Sequence, residues 1–171
     1  MQAPGYDRVM LGTMYDSQAC SIARSLEVVG ERWSILIIRD AIFAGSTRYS
    51  EFRRSLGIAT NVLQARLDGF VETGIMRRDG ADYLLTEKGR DLAPALIALT
   101  EWGDRWSAPD GPPIDYHHSV CDAPVHSALV CEHCGTLDNA GEVVGVPGPG
   151  MPQSRLDLMG EIFAAREART A

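Results

Sequence analysis

The sequence predicts a mainly α fold with one small β-hairpin, followed by a short region of different character. Three observations carry this expectation. Apolar residues recur at three- and four-residue steps over most of 20–106, which is the helical period. Within that stretch only 75–86 reads as two short strands, placed around an Asp-Gly turn. All four histidines and three of the four cysteines fall within residues 117–134.

Residues 1–17 show no periodicity and contain Pro4 and Gly5, so a loose N-terminal arm is expected. The start lacks the cationic and apolar stretches of a secretory leader, and no apolar run reaches the roughly 18–20 residues of a membrane span. A cytoplasmic chain with no membrane partner is expected. Between Cys20 and Val29, the residues Ile22, Ala23, Leu26 and Val29 mark an amphipathic helix stopped by Gly30. Residues 33–44 are apolar on most sides and predict a buried helix, with Gly45 as its stop. A third helix over 49–56 has Tyr49, Phe52 and Leu56 on its inner face. After the turn Gly57-Ile58-Ala59, a fourth helix over 60–73 places Leu63, Leu67, Phe70 and Val71 on one side, with Gly74 as its stop.

Helix three, turn and helix four have helix-turn-helix proportions. The hairpin Ile75-Met76-Arg77-Arg78 and Tyr83-Leu84-Leu85-Thr86 encloses Asp79-Gly80-Ala81-Asp82. One long helix over 87–106 then carries Leu92, Leu96, Leu99, Trp102 and Trp106 at helical spacing, with Pro94 either kinking it or standing one turn inside its start. This order of elements is that of a winged helix. Pro109-Asp110-Gly111-Pro112-Pro113 reads as a linker, Pro147-Gly148-Pro149-Gly150 as a second break, and 154–165 as a terminal amphipathic helix.

The net charge of −7 argues against a general coat for nucleic acid, but the average hides an asymmetry. From Arg48 to Arg78 there are six arginines against three acids, whereas from Trp106 onward there are nine acids against three arginines. One surface is basic enough to meet a polyanion.

Residues 20–106 also resemble the HxlR-type family of bacterial winged-helix transcription regulators, relatives of the MarR group. The matching residues are Cys20-Ser21-Ile22-Ala23-Arg24, Gly30-Glu31-Arg32-Trp33-Ser34-Ile35-Leu36-Ile37-Ile38-Arg39 and Arg48-Tyr49-Ser50-Glu51-Phe52. They continue with Val62-Leu63-Gln64-Ala65-Arg66-Leu67, Tyr83-Leu84-Leu85-Thr86-Glu87-Lys88-Gly89 and Glu101-Trp102-Gly103. The resemblance implies a homodimeric DNA-binding regulator, a repressor more often than an activator, whose fourth helix enters the major groove. Where the family usually has a serine and then a proline at the start of that helix, this chain has Ala59 and Thr60.

Physical reasoning reaches the same face. With Leu63, Leu67 and Phe70 turned inward, Thr60, Asn61, Gln64, Ala65 and Asp68 are expected to face out. Asn61 and Gln64 carry amides able to bond adenine bidentately. Arg53, Arg54 and Arg66 flank this face as phosphate contacts, and Arg77 and Arg78 stand at the wing; the alternative is that Asn61 and Gln64 are plain polar surface residues and that Arg66 pairs with a nearby acid. The expected partner is double-stranded DNA with a pseudo-palindromic operator. Leu99, Trp102 and Trp106 are read as part of a two-fold interface, or else as closing the domain's own core.

Cys131-Glu132-His133-Cys134-Gly135 is a C-x₂-C-G knuckle, and His118-x₂-Cys121 is a second short pair upstream. His118, Cys121, Cys131 and Cys134 together offer a Cys₃His set, the donor set of a closed structural Zn²⁺ site, one per chain. His117 is an alternative to His118, and a Cys131–Cys134 disulfide, free thiols and surface histidines are the alternatives to a metal. Residues 122–130 between the pairs are expected to form a ribbon hairpin too poor in apolar residues to fold without the ion. The expected fold class is thus a winged helix-turn-helix plus a small zinc-ribbon-like C-terminal region. Its divisions are an arm over 1–17, a DNA-binding and dimerisation domain over 18–108, a linker over 109–116, the ribbon-like region over 117–150 and a helix or tail over 151–171.

Cys20 opens the first helix, where a thiol's pKa can fall. The resemblance implies oxidant or electrophile sensing there, and a small buried filler is the alternative. The regulator is accordingly expected to answer a redox or small-molecule effector. A protein-interaction module carrying a zinc ribbon is a further alternative. The sequence holds no nucleophile elbow, phosphate loop or dinucleotide fingerprint, so an enzyme is not expected.

Overall fold

The computed structural model describes Tyr15 and residues 18–170, with side chains described as far as Ile162. The expected arm therefore lies outside the described residues apart from Tyr15. The chain forms two compact units, one of residues 28–138 and one of the described residues before 28 and after 138.

Helix α1 spans Ser21–Val29, α2 Arg32–Phe43, α3 Tyr49–Leu56 and α4 Thr60–Glu72. Strands β1 (Met76–Asp79) and β2 (Asp82–Leu85) follow, then α5 (Glu87–Arg90) and α6 (Ala93–Ser107). This is the expected mainly helical class with a small antiparallel wing.

Local chemistry sets the boundaries. Glu31 caps α2 by accepting from the Trp33 N–H at 3.0 Å. Glu51 folds back on the start of α3 and accepts from the Thr47 and Arg48 N–H groups at 2.9 and 3.0 Å, satisfying amides that the helix itself leaves open. Gly57, with φ +59°, ends α3 in the left-handed conformation that turns the chain into Ile58. Ile37 and Ile38 of α2, Phe52 of α3, and Leu63 and Leu67 of α4 are fully buried, and Met76, Tyr83 and Leu96 complete the core. Each large side chain removed from water stabilises by about 1.5–3 kcal/mol, so this cluster fixes the angle between α3 and α4.

The wing pairs Met76 with Leu85 and Arg78 with Tyr83. A third short segment joins it, which periodicity did not reveal. The Tyr83 N–H donates to the Thr47 carbonyl at 2.7 Å, the Thr47 hydroxyl donates to Asp82 Oδ1 at 2.8 Å, and Arg48 bridges to Asp82.

The expected single helix over 87–106 is instead two. Pro94 has no N–H to offer and its ring would collide with the carbonyl one turn back, so the helix breaks at Asp91-Leu92 and restarts with Pro94 in the first turn of α6.

Beyond α6, the expected hairpin between the two cysteine pairs is replaced by two hairpins, each with a pair at its tip. In the first, His117 bridges to Pro124, the Val125 N–H donates to the Tyr116 carbonyl at 2.8 Å, and the His118 N–H donates to the Ala123 carbonyl at 2.8 Å. In the second, β3 (Leu129–Cys131) pairs with β4 (Gly135–Leu137). The x₂ spacings are themselves the turns. A short 3₁₀ turn (Ala140–Glu142) and helix α7 (Gln153–Thr170) follow, the helix running further than the expected 154–165. Among the described residues no helix is long and apolar enough to cross a membrane.

Candidate nucleic-acid interface

Helix α4 follows the tight α3–α4 turn and presents one polar side. With Leu63, Leu67 and Phe70 buried, Thr60, Asn61, Ala65 and Asp68 are exposed. Gln64, expected to face out, is half-buried. Its amide donates to Asp68 Oδ1 at 2.9 Å and reaches the Tyr83 hydroxyl at 3.4 Å. Arg66 is also half-buried, with Nε 3.6 Å from Glu31 Oε2 and no hydrogen-bond partner at that nitrogen among the described residues. It leans toward the start of α2 rather than standing free beside Asn61.

Ala59 is the N-cap of α4 and supplies no side-chain acceptor, so the amides of the first turn are left open. The Tyr49 hydroxyl donates to the Thr60 carbonyl at 2.9 Å and ties the start of α4 to α3. Beside it, Tyr49, Ser50, Arg53 and Arg54 line a groove of about 330 Å³. Arg53 and Arg54 are exposed in the last turn of α3 and enter no salt bridge among the described residues. The Arg48 and Thr47 N–H groups hold the Glu51 carboxyl below the usual glutamate range, with smaller help from the charges of Arg48 and Arg54. Glu51 thus serves the backbone and leaves the guanidinium groups of α3 to solvent. Ser50 was not singled out from the sequence; its place three residues before Arg53, on the same helix face, was the available signal.

At the wing, Arg77 is paired with Asp79 at 3.0 Å, both exposed. Arg78 lies over the Tyr83 ring at 5.2 Å, and its Nε donates to the Gly80 carbonyl at 3.4 Å. Asp79 partly neutralises the tip.

The histidines and cysteines of the C-terminal segment come together in pairs. His118 Nδ1 lies 3.2 Å from Cys121 Sγ. Cys131 is held below its ordinary thiol pKa by the Cys134 and His133 N–H groups and by the Cys134 side chain. His117 is engaged elsewhere, 2.8 Å from the Asp122 carbonyl and 3.1 Å from its carboxylate. Among the described residues no three His, Cys, Asp or Glu side chains stand close enough together to hold a metal ion.

This segment is moored to the helices at two points. Tyr116 packs on Phe43 with ring centroids 4.5 Å apart. Glu101 of α6 accepts from the Ser127 hydroxyl, from the Ser127 N–H at 3.1 Å, and lies 3.2 Å from His126 Nδ1. These contacts, the Ser127 hydroxyl foremost, hold the Glu101 carboxyl below its usual range. A cavity of about 670 Å³ lies alongside, lined by Glu101, Arg105, Tyr116 and His126 among others.

Cys20 is exposed and precedes α1, its carbonyl accepting from the Arg24 N–H at 3.1 Å. The Ala23 and Ile22 N–H groups lower its thiol pKa, and the charge of Arg155 adds to the effect. It lines a cavity of about 240 Å³ with Arg24, Gly148, Gly150 and Met151.

Residues 28–110 match the model of the HxlR-like helix-turn-helix family. An uncharacterised HTH-type transcriptional regulator of Mycobacterium tuberculosis, Rv3095, is 42% identical over 138 residues, covering 76% of this chain and 87% of its own length. The chain belongs to the HxlR-like helix-turn-helix family. Another relative, the uncharacterised HTH-type transcriptional regulator YvaP of Bacillus subtilis, is 30% identical and covers 56% of this chain and 96% of its own. The crystal structure of PA1607, described as a candidate transcription factor, superposes with a TM-score of 0.69 at 37% identity, covering 79% of this chain and 99% of that one. A second candidate transcription factor, PA1374 of Pseudomonas aeruginosa, gives 0.57 at 36% identity over 81% of this chain and 99% of that one. This HxlR-like chain is therefore a DNA-binding transcription regulator and belongs to no enzyme class.

Proposed function

We propose that two copies of this HxlR-like chain bind a pseudo-palindromic operator in the cytoplasm and repress transcription, each inserting α4 into the major groove. The observation that carries this reading is the exposed start of α4, with Thr60, Asn61 and Ala65 open beside the unpaired Arg53 and Arg54. A helix fits the major groove, an asparagine amide can read adenine, and arginines on the neighbouring helix hold phosphates. Gln64 can join the readout by exchanging its bond to Asp68 for a base edge. Arg66, tied to Glu31, and the wing residues Arg77 and Arg78 act as backbone contacts. Half-sites lie about one helical turn apart, ~34 Å.

Asn61→Ala should weaken operator binding by about 10- to 100-fold and relax the preference at one base position. Arg53→Ala should weaken all sequences alike and flatten the dependence on salt. Fluorescence anisotropy across a salt series reads both. Unchanged affinity in both variants removes α4 and its flank from the interface.

A second reading adds redox control through Cys20, favoured by its exposure and its stabilised thiolate. Mild peroxide or a quinone should release the wild-type protein from DNA and leave Cys20→Ser bound. Equal release of both proteins excludes it.

A further inference from the structure

We propose that Cys131 and Cys134, at the tip of the second C-terminal hairpin, form a redox-active dithiol that a hydroperoxide closes to a disulfide. The pair lies beyond the residues 28–110 that match the family model, and it depends on neither DNA binding nor Cys20. Cys131 ends β3, residues 132–134 make the turn, and Cys131 pairs across the ladder with Gly135. Gly135, with φ +81°, turns the chain back directly after Cys134. That turn folds the second cysteine toward the first. The Cys134 and His133 N–H groups and the Cys134 thiol all donate to Cys131 Sγ. Both thiols are free, Cys131 half-buried and Cys134 exposed. A disulfide needs two sulfurs that side-chain torsion alone can bring together, and this tip already holds them in contact.

The first tip has the same turn but one thiol. Asp122, with φ +55°, bends the chain after Cys121 as Gly135 does after Cys134. The side chain that meets Cys121 there is His118, 3.2 Å away. The two tips keep their donors in separate pairs, since no three His, Cys, Asp or Glu side chains stand together among the described residues. Cys134 is therefore the thiol within reach of Cys131.

Cys131 Sγ attacks one peroxide oxygen, the O–O bond breaks, and the departing oxygen takes up a thiol proton. Cys131 is then a sulfenic acid. Cys134 Sγ displaces hydroxide from it, which leaves as water with the second thiol proton. Two thiols are oxidised to one disulfide, and the hydroperoxide is reduced to an alcohol, or to water when it is hydrogen peroxide. No residue from 117 to 150 is buried, so a small peroxide and a reductant both reach the tip. A dithiol reductant reverses the step. It attacks Cys134 Sγ, Cys131 leaves as thiolate, and the reductant's second thiol frees Cys134.

The test uses the full-length Cys20→Ser protein, reduced and treated with chelator, so that neither Cys20 nor a bound metal ion contributes. Hydrogen peroxide followed by alkylation should join Cys131 to Cys134 and leave Cys121 alkylated. Cleavage after Glu132 separates the two cysteines, so mass spectrometry reads their bond as a cross-link between peptides. The cross-link should form at least about tenfold faster than Cys121 is oxidised, and dithiothreitol should undo it. Adding Cys134→Ser should abolish the cross-link and leave Cys131 as a sulfenic acid that dimedone traps. Adding Cys131→Ser should remove both the cross-link and the trapped product. Cys131 and Cys134 recovered alkylated after peroxide would overturn the proposal. So would a bond from either to Cys121 or to another chain, or oxidation of Cys131 no faster than that of Cys121.

Discussion

Trp102→Glu combined with Trp106→Glu should turn the protein into a monomer in light scattering and weaken its binding to a full operator by at least about a hundredfold. Leu99, Trp102 and Trp106 step by three and four along α6, so they share one face, and they are 52%, 61% and 70% exposed. Burial of each such side chain is worth roughly 1.5–3 kcal/mol, the gain that a second copy seated on this face would realise in the proposed dimer. Glutamates at a two-fold contact would meet their own images as like charges without water. The loss of operator affinity follows from geometry alone, because a dimer's second half-site binds at high effective concentration and a monomer's does not. A duplex holding one half-site should therefore bind wild type and variant equally. A variant that stays dimeric, or that loses half-site affinity too, would show that this face serves another purpose.

Gly89→Ala should destabilise the fold by about 3 kcal/mol and lower its melting temperature by roughly 10 °C. A Cβ at this position would lie 2.3 Å from the Ile75 carbonyl oxygen and 2.8 Å from Leu85 Cδ2. The leucine end can turn away. The carbonyl cannot, because it accepts from the Thr86 N–H at 3.0 Å, and the Thr86 hydroxyl, which donates to the Gly74 carbonyl at 2.6 Å, holds the neighbouring peptide. That hydroxyl also accepts from the Gly89 N–H at 3.2 Å, so one threonine seats α5 against the wing. Relieving the clash means lifting α5 off β1, and thermal denaturation followed by circular dichroism would measure the cost. A melting temperature unchanged from wild type would mean that α5 shifts freely.

The winged-helix body was legible because its elements announce themselves locally. The apolar steps of Leu63, Leu67 and Phe70 and the stop at Gly57 are short-range signals, and the helices stand within a residue or two of where periodicity puts them. The segment from Thr47 to Arg48 was not legible, since its pairing with Asp82 and Tyr83 is a contact between residues some thirty-five apart in sequence. The break before α6 turned on Pro94, whose sterics permit either a kink or a restart, and only packing decides which. Within the interface, the exposure of Asn61 followed from the helical wheel. The engagement of Gln64 with Asp68 did not, nor did the choice of Glu31 as the acid that Arg66 meets, because long side chains choose partners by geometry that a wheel omits. In the C-terminal segment the x₂ spacings were plain, but their placement as hairpin tips depended on two left-handed residues.

The absent cap at Ala59 has a consequence for how the regulator waits. The amides at the start of α4 have no side-chain acceptor from the cap, and the positive end of the helix stays unquenched by it. If α4 enters the groove as proposed, a phosphate oxygen arriving there would complete the helix, so its first turn would be loosest in the search and stiffest on the target.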